Sequence, residues 1–331
     1  MSSHPQRSTA TTLAENSPTL KKQLIIDIAK KKELHTLPLE VIKTNLDTIL
    51  KGNPKLAKSA LHEKSKNYKQ LIKLTREQLR RNYGLFRSQN ITSISSKIEF
   101  YFQNPSLQLL QEILTSHQST KERLPLYPQL YHEIFKITGE PHHIIDLACG
   151  LNPLSIAYFN KKINKSKTNK FQNNSPSSTP HIVTYHAYDI NTVEIGILNE
   201  YFHHVKKNIL PLKDSPKQNK DSPPLKIQYP LILGQAHIKD ITTPHEYPPS
   251  DVALLFKALD IIDRGKGHKN SEQLLTSLNS KYIIASFATK TMSGKPMTAP
   301  KRRWMEWLCK RKSWEYHLLK YETEIFYIIK K

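Results

Sequence analysis

The residues whose types and spacing carry chemistry in this chain begin with Asp146-Leu147-Ala148-Cys149-Gly150-Leu151-Asn152-Pro153-Leu154, which follows the apolar run His143-Ile144-Ile145. The stretch reads as a buried strand, a tight glycine turn, and a helix opening with Asn152 as cap and Pro153 at the first helical position. Strand, turn and helix N-terminus together cradle nucleotide-like ligands. A dinucleotide fold normally offers Gly-x-Gly-x-x-Gly at this point, and here Gly150 stands alone, which counts against NAD. Asp189 ends the stretch Val183 to Tyr188, at the place where such folds bind ribose hydroxyls. Capping the helix from Asn191 is an equal reading of the same acid. Asp240 suits an adenine amino group, or a turn before Thr242-Thr243-Pro244.

Arg123 is one of only ten arginines among 50 basic residues, and its guanidinium offers the fork that a carboxylate accepts. An i,i+4 partner on an exposed helix face is the competing reading. His117 either touches a ligand or caps a helix. Cys149 reads as a small packed residue, since nothing nearby lowers a thiol pKa. Trp304, Trp307 and Trp314 read as core or interface anchors ahead of base-stacking platforms. Beside them, Lys301-Arg302-Arg303 and Lys310-Arg311-Lys312 are candidate phosphate contacts, or equally a solvated helix face.

The wider composition points to the partner. The 331 residues hold 50 Lys+Arg against 28 Asp+Glu, a formal net charge of +22. A polyanion is the first inference, with nucleic acid ahead of a membrane. Two distant cysteines make neither a disulfide framework nor a zinc site, so a reducing, cytoplasmic setting and no metal are expected. No apolar run approaches the roughly 18 residues of a membrane span. Nothing argues against a monomer.

The elements that must position these residues fall into two domains. Residues 1–17 read as a disordered tail, and 18–104 as a small basic helical domain. Its helices start at Pro18, Pro38 and Pro54, the third running past Leu71 towards Leu79. Residues 105–331 alternate strand and helix, with helical stretches over 105–114 and 119–137 leading into the first strand. Strands are expected at 143–147, 183–188, 229–234, 251–256, 281–287, 315–320 and 324–329. Helices are expected near 153–162, 191–207, 271–279 and 300–311. The alternation predicts a mostly parallel α/β sheet with helices on both faces. Only Tyr321-Glu322-Thr323 separates the last two strands, which therefore form an antiparallel hairpin. Residues 161–180 and 211–226 are low-complexity insertions.

A parallel sheet closing in a hairpin is the plan of class I S-adenosylmethionine-dependent methyltransferases, and four stretches sharpen the likeness. They are His117 to Leu124, Asp146 to Leu154, Asp251 to Leu259, and Ser286 to Lys295, followed by the terminal Thr323 to Lys330. Over about residues 105–331 the sequence strongly resembles the aminoglycoside-resistance 16S rRNA methyltransferases, the Rmt/ArmA/FmrO or guanine(1405)-N(7) class. The resemblance implies a Rossmann-like fold that transfers a methyl group from S-adenosylmethionine to N7 of a guanine in the decoding-site helix of 16S rRNA. It also implies docking of the basic helical domain on the 30S subunit, and a modification that confers aminoglycoside resistance.

By the same resemblance, Arg123 pairs with the methionine carboxylate of the cofactor, Gly150 admits its backbone, Asp189 holds the ribose and Asp240 the adenine. His117, Asp146, Ala148, Asn152, Ile190, Lys239 and Phe256 complete the cofactor site. Lys257, Ser286 and Lys290 border the target base as the catalytic positioning groups, and Lys295, Arg302 and Arg303 meet RNA. Several positions depart from the family pattern. Lys239 stands for a Gln, Asp260 and Ala288 for prolines, and Lys290-Thr291-Met292-Ser293-Gly294-Lys295 for Arg-Ser-Leu-Gly-Gly-Arg. Two other readings therefore stay open: a methyltransferase for another RNA or a small molecule, and a non-catalytic ribosome-binding relative.

Overall fold

The computed structural model describes residues 18–59, 65–83, 91–159, 181–209, 231–263, 267–291, 294–298 and 300–331. The expected tail and both expected insertions lie outside them. The chain divides into two compact units, Met1–Leu85 and Phe86–Lys331.

The first unit is helical. It comprises α1 (Pro18–Ala29), a 3-10 turn (Lys32–Leu34), α2 (Leu39–Gly52), α3 (Pro54–Ser59) and α4 (Lys66–Tyr83). Leu20, Leu24 and Ile28 on α1, Ile42, Leu46 and Leu50 on α2, and Leu71 and Leu79 on α4 are buried at helical spacing. The helix expected to run from Pro54 to Leu79 is two helices. Ser65 explains the second start, because its Oγ accepts from the Tyr68 amide at 3.1 Å, as an N-cap does. Arg76 donates to the carbonyls of Asp27 and Ile28, groups that the last turn of α1 leaves over. Arg80 grips Glu33 Oε1 at 2.9 and 2.7 Å.

The second unit begins with α5 (Ile91–Gln103), α6 (Leu107–Leu114), α7 (Gln118–Arg123) and α8 (Tyr127–Thr138). The sequence places the boundary at 104; the structure places it before α5. The reason is packing, since Ile94, Ile98 and Tyr101 of α5 bury into the same core as Ile144, Tyr185 and Phe202.

Seven strands follow: β1 (His143–Leu147), β2 (Ile182–Asp189), β3 (Leu231–Ile238), β4 (Ser250–Phe256), β5 (Ser280–Ala288), β6 (Glu315–Lys320) and β7 (Glu324–Lys330). They form one sheet in the order β3-β2-β1-β4-β5-β7-β6, parallel from β3 to β5. The closing β6–β7 hairpin is antiparallel, with β7 inserted beside β5. One face carries α5 to α9 (α9, Thr192–Ile209) and the other α10 (Leu259–Asp263), α11 (Lys269–Ser277) and α12 (Arg303–Lys312); a core lies under each. The third strand runs further than 229–234, because it pairs with β2 residue for residue through Asp189↔Ile238; residues 229–230 lie outside the described residues. Gly234 on it leaves room for the Phe202 ring, which a Cβ would meet at 2.0 Å.

Candidate cofactor and target site

The strand order reverses between β1 and β4, where ligands bind in open α/β sheets, beyond the carboxyl ends of the strands. Ala148, just after β1, has φ +53°, and Lys257, just after β4, has φ +56°. Left-handed backbone costs a side-chain-bearing residue about 1–2 kcal/mol. Two such residues at the ends of paired strands mark the crevice as a place where geometry outranks stability. Gly150 follows at φ +49°, and a Cβ on it would lie 3.2 Å from His117 Nε2.

The turn is anchored rather than loose. Asp189 accepts from the Gly150 amide at 2.8 Å and from the Asn191 amide at 3.0 Å. Burial, with Glu194 nearby, holds its carboxyl above the usual range. Asp189 does not cap α9. Asn191 does, accepting from the amides of Val193 and Glu194. A carboxylate has about four acceptor positions, so capacity for a further donor remains on Asp189.

Asn152 departs from its expected role. Asn152–Tyr158 is a 3-10 helix, and no side chain caps it. The Asn152 side chain instead ties three elements together. Its Nδ2 donates to Asp146 Oδ2 at 2.9 Å, and its Oδ1 accepts from Arg123 at 3.2 Å and Tyr127 at 3.0 Å. Tyr185 also donates to Asp146 Oδ2, at 2.7 Å, whereas Asp146 Oδ1 is buried with no protein partner. Burial pushes the Asp146 carboxyl up to about 6 despite those two donors.

Arg123 sits 1% exposed, its guanidinium carbon 4.8 Å from the Phe256 ring centre. Its Nε bridges both oxygens of Glu324, at 3.1 and 3.0 Å. Glu324, itself fully buried, opens β7 and also accepts from Ser286 Oγ. Lys257 Nζ lies 3.5 Å from Glu324 and bonds Glu122. Burial opposes ionisation of Glu122, but hydrogen bonds from Lys257 and Gln118 hold its carboxyl below the usual value. Ser286 Oγ accepts from the Lys257 amide at 3.0 Å, which fixes the left-handed residue in place. Arg123, Lys257 and Ser286, drawn from α7, β4 and β5, thus converge on an acid from β7 that the sequence reading left outside the site. Its only sequence signal was its place in the terminal Thr323-to-Lys330 stretch.

The remaining expected residues spread outward. Phe256 is buried under Arg123, and Ile190 is half-buried just beyond Asp189. Lys239 Nζ sits over the rings of Tyr247 and Tyr188, at 4.8 and 5.2 Å. Asp240 makes the turn, accepting from the amide and hydroxyl of Thr242. His117 precedes α7 without a side-chain cap bond; its Nδ1 lies 2.9 Å from Ser119 Oγ. Lys290 pairs with Glu322, and Lys295 is exposed in the following turn. Arg302, expected to meet RNA, makes several contacts within the protein. It pairs with Asp260 at 2.8 Å, lies 5.0 Å from the Phe287 ring centre, and its amide donates to Tyr327 OH. Arg303 is exposed.

The sheet order, the closing hairpin and the crevice at β1 and β4 define a class I S-adenosylmethionine-dependent methyltransferase fold. The residues present suit that cofactor: a cramped left-handed turn at Gly150, a buried acceptor with no partner on Asp146, and a buried guanidinium.

Residues 107–238 match the family described as Ribosomal RNA methyltransferase (FmrO). It is 24% identical over 292 residues to the 16S rRNA (guanine(1405)-N(7))-methyltransferase of Micromonospora echinospora, covering 84% of this chain and 88% of that one. It is likewise 24% identical to the enzyme of the same name from Proteus mirabilis, over 69% and 71% of the two chains. In fold it is similar to the 16S rRNA methyltransferase RmtF in complex with S-adenosyl-L-homocysteine. The TM-score is 0.67, with 17% identity over 95% of this chain and 98% of that one. The 16S rRNA methylase RmtB follows, with TM-score 0.61 and 20% identity over 94% and 98%.

Proposed function

We propose that this chain transfers the methyl group of S-adenosylmethionine to N7 of a guanine in the decoding-site helix of 16S rRNA, on the assembled 30S subunit. The observation that carries the reading is the buried convergence of Arg123, Lys257 and Ser286 on Glu324 at the ends of β4, β5 and β7, beside the Gly150 turn. The names of the related enzymes supply the target. The cofactor supplies an already activated sulfonium methyl. Guanine N7 keeps an in-plane lone pair and is unprotonated at neutral pH, so no base need act before attack.

The protein's task is then placement in a water-poor site. Asp189 holds the Gly150 turn and keeps acceptor capacity for ribose hydroxyls. Arg123 has terminal N–H groups beyond those bonded to Glu324 and Asn152, enough for the cofactor's carboxylate. Phe256 walls the same side. Lys257, clamped between Glu122 and Glu324, and Lys290 at the following loop border the base. Glu324 and Glu122 would hold the Lys257 ammonium at the edge of the site, where the methyl group that the cofactor supplies would meet the base.

Docking on the 30S particle falls to the helical unit. A groove of about 460 Å³ there is lined by Lys30, Lys31, Lys69 and Lys73; Lys30 pairs with Asp27, which also lines it, and the other three would meet phosphate. The net charge of +22 agrees with that partner.

The test is methylation of purified 30S subunits with labelled S-adenosylmethionine. Borohydride and aniline cleavage, followed by reverse transcription, maps the modified base. A stop at the decoding-site guanine is expected. Label appearing in tRNA or small molecules but not in 30S subunits overturns the target, and no label anywhere overturns the activity.

A further inference from the structure

Helix α12 (Arg303–Lys312) follows the 289–302 segment that leaves the candidate site. Its inner face is settled: Met305, Leu308 and Cys309 are buried against Leu259, Phe287 and Tyr327. Trp304 is half-buried, stacked on His268 with ring centres 4.2 Å apart. The Arg302 contacts to Asp260 and Tyr327 fix where the helix starts, within a few residues of Lys257.

The outer face is different. Trp307 is 69% exposed, the most exposed of the large hydrophobic side chains among the described residues. A single exposed apolar residue needs no explanation by itself. The neighbours supply one. Arg303 and Lys310 stand at i−4 and i+3, so they share the Trp307 face, and both are exposed. Neither has an ion-pair partner among the described residues. Arg311, at i+4, is exposed too, although Glu272 takes one of its nitrogens.

Trp and Arg are enriched at protein interfaces too. Cations on both sides of an exposed indole, on a helix about 15 Å long in a chain of net charge +22, nevertheless complement a polyanion better. The arrangement matches the two parts of a single-stranded RNA platform: a ring for a base and cations for the flanking phosphates. The geometry points to the Arg303–Trp307–Lys310 face of α12 as an accessory RNA-binding surface. It stacks an unpaired base of the substrate RNA on Trp307 while Arg303 and Lys310 hold adjacent phosphates. This rests on the reading that the substrate is RNA, but not on the guanine-N7 chemistry.

The test is equilibrium binding of the full chain to purified 30S subunits and to poly(U), at several salt concentrations. Titration with S-adenosylhomocysteine serves as the check that each variant retains its fold. Trp307→Ala should weaken binding about tenfold, Trp307→Phe should recover most of that, and cofactor affinity should stay put. Arg303→Gln with Lys310→Gln should reduce the slope of log K against log salt by between one and two. Poly(U) should quench the part of the emission that Trp307→Phe removes. RNA affinity unchanged in Trp307→Ala, or emission indifferent to RNA, overturns the proposal. Binding that behaves as expected in a protein that methylates no rRNA would sink the enzymatic reading and leave this surface standing.

Discussion

Arg123 Nε lies 3.1 and 3.0 Å from the two oxygens of Glu324, a residue 201 positions away, and neither side chain reaches solvent. Burial alone would favour the neutral guanidine, but the Glu324 charge, with Tyr127, holds the Arg123 pKa above its ordinary value. Such a pair is costly to break from one side, because the surviving charge is stranded. Glu324→Ala strands the Arg123 guanidinium, whereas Lys257 keeps Glu122. The variant should lose about 3–5 kcal/mol of unfolding free energy in urea titrations. Glu324→Gln keeps the shape and should lose less. If Glu324→Ala unfolds at the wild-type urea midpoint, the pair does not hold β7 to α7.

Lys257 separates backbone from side chain. Its φ of +56° is unfavourable for any residue with a Cβ and free for glycine. Lys257→Gly and Lys257→Ala both remove the ammonium between Glu122 and Glu324. Lys257→Gly should nevertheless be about 1 kcal/mol more stable than Lys257→Ala by thermal unfolding. Methyl transfer should fall in both. Equal stabilities would mean that the left-handed conformation is not retained in solution.

Gly150 carries a steric and a conformational demand at once. Gly150→Ala places a Cβ 3.2 Å from His117 Nε2 on a backbone at φ +49°. A loss of about 1–2 kcal/mol in stability is expected, with weaker binding of S-adenosylhomocysteine by calorimetry. Adding His117→Ala should return the steric part only. A double-mutant cycle with no coupling between the two positions contradicts the close approach.

The local elements were legible because their signals are local. The runs at 143–147 and 315–320 match β1 and β6 to the residue, each closed by turn chemistry. The third strand extends past residue 234 although Gly234-Gln235-Ala236-His237 has weak strand preference, and only pairing with β2 decides it. Asn152 was misjudged for a related reason. Beside Pro153 it looks like a cap, but partners from α7, α8 and β1 compete for its amide and win. Glu324 was invisible as a site residue, since nothing local in a terminal strand reports a partner on α7. Gly150 and Asp189 were legible as turn and strand-end positions, because each lies at the close of its own buried run.

Asp146 links stability to pH in an unusual direction. Burial raises its carboxyl to about 6 in the folded chain, from near 3.9 unfolded. Between those values the folded state binds more protons than the unfolded one, so this group makes stability fall as pH rises from about 4 to 6. The contribution levels off above 6, at about 3 kcal/mol less than at acid pH. Asp146→Asn removes the titration. Its amide oxygen can replace Oδ2 as acceptor for Asn152 and Tyr185, while its NH2 takes the place of the unpartnered Oδ1. The variant should therefore be at least as stable as wild type at pH 7 and lack this part of the pH dependence in urea titrations. Cofactor binding should move the other way. If Oδ1 accepts from S-adenosylmethionine, turning it into a donor should weaken binding of S-adenosylhomocysteine more than tenfold by calorimetry. A variant that gains stability and binds as tightly as wild type would restrict Asp146 to holding Asn152 and Tyr185.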